Sequence, residues 1–165
     1  MSLASDLLDQ ANTLAALDRL KPKQASLRRA ISAAYYSLFH LLIDEGARRI
    51  SSTVELQPYI ARSFQHAAIK DAANRVTARS QGTPPWPAPL FASPVEAELI
   101  SVCNAFVDLQ SLRHKADYTT LSFNRAEVVA AVSRAQAAHQ DWAVVRASNN
   151  ATVFLLHSAK LLPDR

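Results

Sequence analysis

The chain has 165 residues, 49% of them hydrophobic, and its 18 Lys and Arg against 14 Asp and Glu leave a formal net charge of +4. That length suits one domain whose core needs no covalent staple. A single cysteine, Cys103, excludes an intrachain disulfide, a CxxC redox pair and a cysteine-rich zinc cage, which favours a reducing, cytoplasmic location. Most of the cations are Arg, the residue suited to bidentate phosphate or carboxylate recognition, although a solvated basic face would have the same composition.

The opening, Met1 to Asp6, lacks a basic n-region, and no apolar run approaches the roughly 18 residues of a membrane span, so neither export nor a membrane partner is expected. Glycine is nearly absent, and apolar residues recur at three- and four-residue steps, which predicts an all-α fold. A first helix is predicted over Leu3 to Leu20, stopped by Pro22. A second covers Gln24 to Ala47, striped by Leu27, Ile31, Ala34, Tyr35, Leu38 and Leu42, with Gly46 near its end. A third starts near Pro58 and runs as one helix to Arg79, striped by Ile60, Phe64, Ala68, Ala72 and Val76.

Four prolines between Pro84 and Pro89 make residues 80–93 a loop inside the bundle rather than a domain boundary. Ser93-Pro94-Val95-Glu96 carries an N-cap, a proline at N1 and a glutamate at N3 for a fourth helix reaching Tyr118. Asn124-Arg125-Ala126-Glu127 repeats that logic for a fifth, through Arg146. Asn149 and Asn150 then break the pattern before a short helix over Thr152 to Leu162. The expected architecture is an up-and-down bundle of four to five helices over residues 1–148, followed by an apolar tail, 149–165. That tail docks on its own bundle or, alternatively, on a partner.

Candidate chemistry gathers late in the fourth helix. Arg113 and Asp117 continue the inward face of Leu99, Val102, Phe106 and Leu109. Their Arg-before-Asp order is the weaker one for an isolated helix, which points to a tertiary requirement: a pin to the second helix or a contact with a ligand. His114 beside Arg113 could serve acid–base chemistry or line a rim. Arg62, His66 and Lys70, at i,i+4 steps on one predicted helix, make a candidate phosphate ridge or a solvated face. Tyr36 is the aromatic that the second-helix core can spare for stacking on a base. No metal-binding, glycine-rich phosphate-binding or nucleophile-elbow motif is present, so no cofactor is expected.

The string Arg28-Arg29-Ala30-Ile31-Ser32-Ala33-Ala34-Tyr35-Tyr36-Ser37-Leu38-Phe39-His40 resembles the second-helix signature of HEPN-domain proteins. Arg113-His114-Lys115-Ala116-Asp117-Tyr118 and Arg62-Ser63-Phe64-Gln65-His66 resemble the fourth and third helices of one HEPN-like branch. The resemblance spans about Ala25 to Trp142. It implies a helical bundle, often homodimeric, that binds RNA or nucleotides, in a family that includes metal-independent ribonuclease toxins. In the ribonucleases an Arg is followed, after four to six residues, by a catalytic His. Tyr118, Thr119 and Thr120 stand at that spacing after Arg113, so the expectation is a noncatalytic module that uses Arg113, Asp117, Tyr118, Tyr36 and the Arg62/His66/Lys70 ridge. Two alternatives are a ribonuclease with a remodelled site built from Arg113 and His114 or His66, and a scaffold that binds another protein. Arg134 and His139 also match the spacing, on a different helix and at the frequency expected by chance.

Overall fold

The computed structural model describes residues 2–18, 20–80 and 90–162, and among these are seven α-helices, a short 3-10 turn and no strand. The fold is all-α, but the helices outnumber the expected four to five plus one. Most of the proline-rich loop, residues 81–89, lies outside the described residues.

Helix α1 (Leu3–Ala16) opens on a capping box in which the Ser2 hydroxyl accepts from the Ser5 amide at 3.2 Å. It ends before the predicted Leu20, because Asp18 enters the left-handed region (φ 50°) and Leu20 is fully exposed. Helix α2 (Gln24–Ile50) is the central element and touches helices on all sides of the fold. Its predicted stripe of Leu27, Ile31, Ala34, Tyr35, Leu38 and Leu42 is buried. Gly46 does not end it. A Cβ there would lie 2.3 Å from Cζ of Phe64, so the glycine is the hollow in which that ring sits, and α2 continues to Ile50.

The predicted third helix is two. After the 3-10 turn Val54–Leu56, helix α3 (Gln57–Ser63) buries none of its residues. Phe64 leaves helical geometry (ψ 134°), and a new helix α4 (His66–Ser80) follows. An extended backbone at Phe64 lets the ring reach Gly46, while α4 restarts in a register that buries Ala68, Ile69, Ala72, Ala73 and Val76. Burial of a phenylalanine is worth about 1.5–3 kcal/mol, more than the backbone hydrogen bonds lost at a solvent-facing break.

Helix α5 (Ala97–Tyr118) starts later than the capping motif predicts. Glu96 is itself the N-cap residue and makes no capping bond, because its carboxylate accepts from Nδ2 of Asn150 at 2.9 Å. Helix α6 (Arg125–Val145) has the predicted capping box, with Asn124 Oδ1 accepting from the Glu127 amide at 2.9 Å and the Asn124 amide donating to Glu127 Oε2 at 2.8 Å.

The tail forms α7 (Asn149–Ser158), which packs on α4 and α2 and buries Val153, Phe154 and Leu155. Asn149 and Asn150 do not break the chain; Ser148 caps α7 ahead of them. Asn150 is fully buried and clasps both the amide and the carbonyl of Ala92, tying α7 to the segment that leads into α5. Among the described residues, no helix is long and apolar enough to cross a membrane.

Candidate functional site

The last turns of α5 face α2, and there the Arg113–Asp117 pair meets three side chains of α2. Nε of Arg113 lies 2.7 Å from Oδ2 of Asp117, and the other carboxylate oxygen accepts from the Ser32 hydroxyl at 2.7 Å. Nη2 of Arg113 donates to the Tyr36 hydroxyl at 2.8 Å. The guanidinium sits 5.3 Å from the Tyr36 ring centroid, 5.4 Å from that of Tyr118 and 6.0 Å from that of Tyr35. Bonds across to α2 thus account for an ion pair whose order is unfavourable within one helix. Burial pushes the Arg113 pKa down, but Tyr36, Asp117, Tyr118 and Tyr35 together outweigh it and raise the value above the ordinary one. The guanidinium is therefore permanently charged.

This pair is not sealed. The Arg113 side chain is 21% exposed and that of Asp117 26%, and both line a groove of about 910 Å³ between α1, α2 and α5. Leu7, Gln10 and Leu14 of α1 form one wall; Ala25, Arg28, Arg29, Ser32, Ala33 and Tyr36 of α2 form the floor. Ala116 and Tyr118 complete the α5 side. Arg28 is occupied by the end of α5, where its Nη1 donates to the carbonyls of Ala116 (2.6 Å) and Thr119 (2.8 Å) and its Nη2 to that of Leu121. The first two are carbonyls that the end of a helix leaves without intrahelical donors, and the third belongs to the loop that follows. Arg29 is exposed and has no hydrogen bond or ion pair among the described residues. The groove therefore combines three guanidiniums, one carboxylate, two tyrosines and an apolar wall.

Of the residues predicted for the site, Arg113, Asp117, Tyr118 and Tyr36 come together here. The Arg62/His66/Lys70 ridge does not form, because the break at Phe64 puts Arg62 on α3 and His66 and Lys70 on α4. Arg62 is exposed over the Tyr59 ring, 5.9 Å from its centroid. His66 turns inward: its ring stacks on Phe39 at 3.9 Å and its Nδ1 hydrogen-bonds the Tyr35 hydroxyl. Burial, then the charge of Arg113 and the neighbouring His40, lower its pKa below the usual histidine value. Burial likewise raises the Tyr35 phenol well above its ordinary range. His114 is exposed and packs at 5.1 Å against Tyr118, and it does not line the groove.

Arg134 pairs with Asp108 at 3.5 Å, while His139 is held at the backbone of Ser37, so that spacing match assembles no site. Cys103 is fully buried, and burial raises its thiol pKa far above normal. Among the described residues, no three His, Cys, Asp or Glu side chains are grouped to hold a metal.

Sequence reasoning missed Arg29, Ser32 and the α1 wall. Arg28 and Arg29 stand in the string that carries the family resemblance, yet helical periodicity alone does not say which of two adjacent arginines faces a groove. No family model matches the chain, and no curated protein or solved structure matches it.

Proposed function

We propose that this chain is a noncatalytic, HEPN-like helical bundle that binds RNA or a nucleotide in the groove between α1, α2 and α5. The observation that carries this reading is the joint placement of an unpartnered Arg29 and the charged Arg113 beside Tyr36 and Tyr118 on one groove. Guanidiniums select phosphate, and an exposed aromatic ring offers a base a stacking face. Tyr118, 66% exposed, offers such a face.

The placement of the histidines weighed for acid–base chemistry supports the noncatalytic part of this reading. A general acid or base must come within hydrogen-bond reach of the reacting atoms. His114 lies outside the groove lining, and His66 is occupied by Tyr35 and Phe39. The resemblance adds a homodimer to this reading, which native mass measurement of the purified protein tests.

The functional test is titration of a fluorescein-labelled single-stranded RNA at 25 to 200 mM salt, followed by anisotropy. Binding that weakens with a log–log slope near −0.7 per phosphate contact supports the reading. No binding at the lowest salt, or binding indifferent to salt, overturns it.

A further inference from the structure

We propose that Asp117 reads the edge of a base and that the groove takes guanine in preference to the other bases. The inference rests on the nucleic-acid reading above and deepens it.

An ionised carboxylate only accepts hydrogen bonds, and its two oxygens offer about four acceptor directions. Ser32 takes one on Oδ1, at 2.7 Å, and Arg113 approaches Oδ2 through Nε at 2.7 Å. Oδ2 meets Arg113 as an ion pair and not as a directed hydrogen bond, so each oxygen keeps a free direction, while the Ser32 bond from α2 and the Arg113 charge from α5 hold the carboxylate in place. The side chain is 26% exposed and lines the groove, so the carboxylate is within reach of a ligand there.

A fixed pair of acceptors selects a fixed pair of donors. Among the four RNA bases, guanine alone presents two adjacent donors on its Watson–Crick edge, N1–H and the N2 amino group. Adenine and cytosine place one amino donor beside an acceptor, and uracil places its single N–H between two carbonyls. A carboxylate facing any of these three opposes a lone pair, which in a partly desolvated groove is repulsive. Tyr118 and Tyr36 border the same groove as Asp117 and supply rings for the stacked base, while Arg29, outside the Arg113 network, is left for the phosphate.

The test uses the intact protein at low salt and five fluorescein-labelled pentanucleotides, UUGUU and its variants with inosine, adenosine, cytidine or uridine at the centre. Inosine keeps N1–H and loses the N2 amino group. We expect UUGUU to bind about tenfold more tightly than the adenosine, cytidine and uridine versions, with inosine between, as one bidentate base contact provides. In Asp117→Asn one acceptor becomes a donor, and the preference should collapse while binding persists. Equal affinity of the unaltered protein for all five overturns the guanine assignment and leaves the RNA-binding reading standing. Retention of the guanine preference in Asp117→Asn also overturns it. Failure of every pentanucleotide to bind sinks the reading beneath it and this inference together. The base panel on the unaltered protein needs no variant to fold.

Discussion

Helix α2 carries one ion-pair cluster near its C-terminal end and meets an ion pair of α5 along its first half, and the two differ in which partner is buried. At Glu45 the carboxylate is 7% exposed, and Arg146 reaches it with Nε at 3.1 Å and Nη2 at 2.8 Å while Arg48 adds a contact at 3.1 Å. Both arginines are more than half exposed. At Asp117 the carboxylate and Arg113 are similarly and only partly exposed, and both face a groove. A buried carboxylate must be matched within the protein, so the Glu45 cluster is a fastening between α2 and the end of α6. A pair that is held on one side and open on the other keeps hydrogen-bonding capacity for something else. Charge and residue type are nearly the same in the two places, and burial separates a fastening from a candidate site.

The comparison breaks most visibly at Arg146. Arg146→Ala leaves Glu45 with only the partial cover of Arg48 and is expected to lower the unfolding free energy by about 2 kcal/mol, since the lost partner is itself half exposed. Urea denaturation measures this, and RNA affinity should stay unchanged. Arg29→Ala is the converse: affinity for single-stranded RNA should fall about tenfold, roughly 1.4 kcal/mol, while stability stays within about 0.5 kcal/mol. A loss of stability without a loss of binding would make Arg29 a second fastening and remove the contrast.

Gly46→Ala sharpens the packed end. A methyl group would collide with the Phe64 ring, so overpacking should exceed the gain of about 1 kcal/mol in helix propensity, for a net loss of about 1 kcal/mol in the same denaturation assay. The smallest effect concerns protonation. Burial lowers the pKa of His66, His40 and His139 in the folded protein, so the unfolded chain binds more protons once pH falls to the ordinary histidine value of 6.5. Stability should therefore be fully present above that pH and decline as pH drops from there through the lowered folded-state values. His66→Gln should flatten part of the decline, as read from denaturation midpoints between pH 7.5 and 5.

Much of the helical framework was legible in the chain itself. The α2 stripe from Leu27 to Leu42, the Asn124–Glu127 capping box and the inward face from Leu99 to Leu109 are local or periodic features, and periodicity reports them directly. Half of the candidate site was legible for the same reason: Arg113 and Asp117 follow Phe106 on one face, and Tyr36 stands one step off the α2 core. The ridge of Arg62, His66 and Lys70 failed because apolar spacing continues smoothly across Phe64, and nothing in that spacing reveals a distant hollow. The Glu96 cap failed similarly, since its carboxylate is taken by Asn150, far away in sequence.

By itself, then, the order of residues determined that the chain is helical, where most of its apolar faces lie and which charged residues interrupt them, because each of these depends on neighbours within a few turns. Only the tertiary structure decided that Gly46 receives Phe64, that His66 turns inward, and that Arg29 and Arg113 border one groove while Arg146 closes over Glu45. These depend on contacts between residues far apart in sequence, where burial and the few remaining hydrogen-bonding directions decide what each charge does.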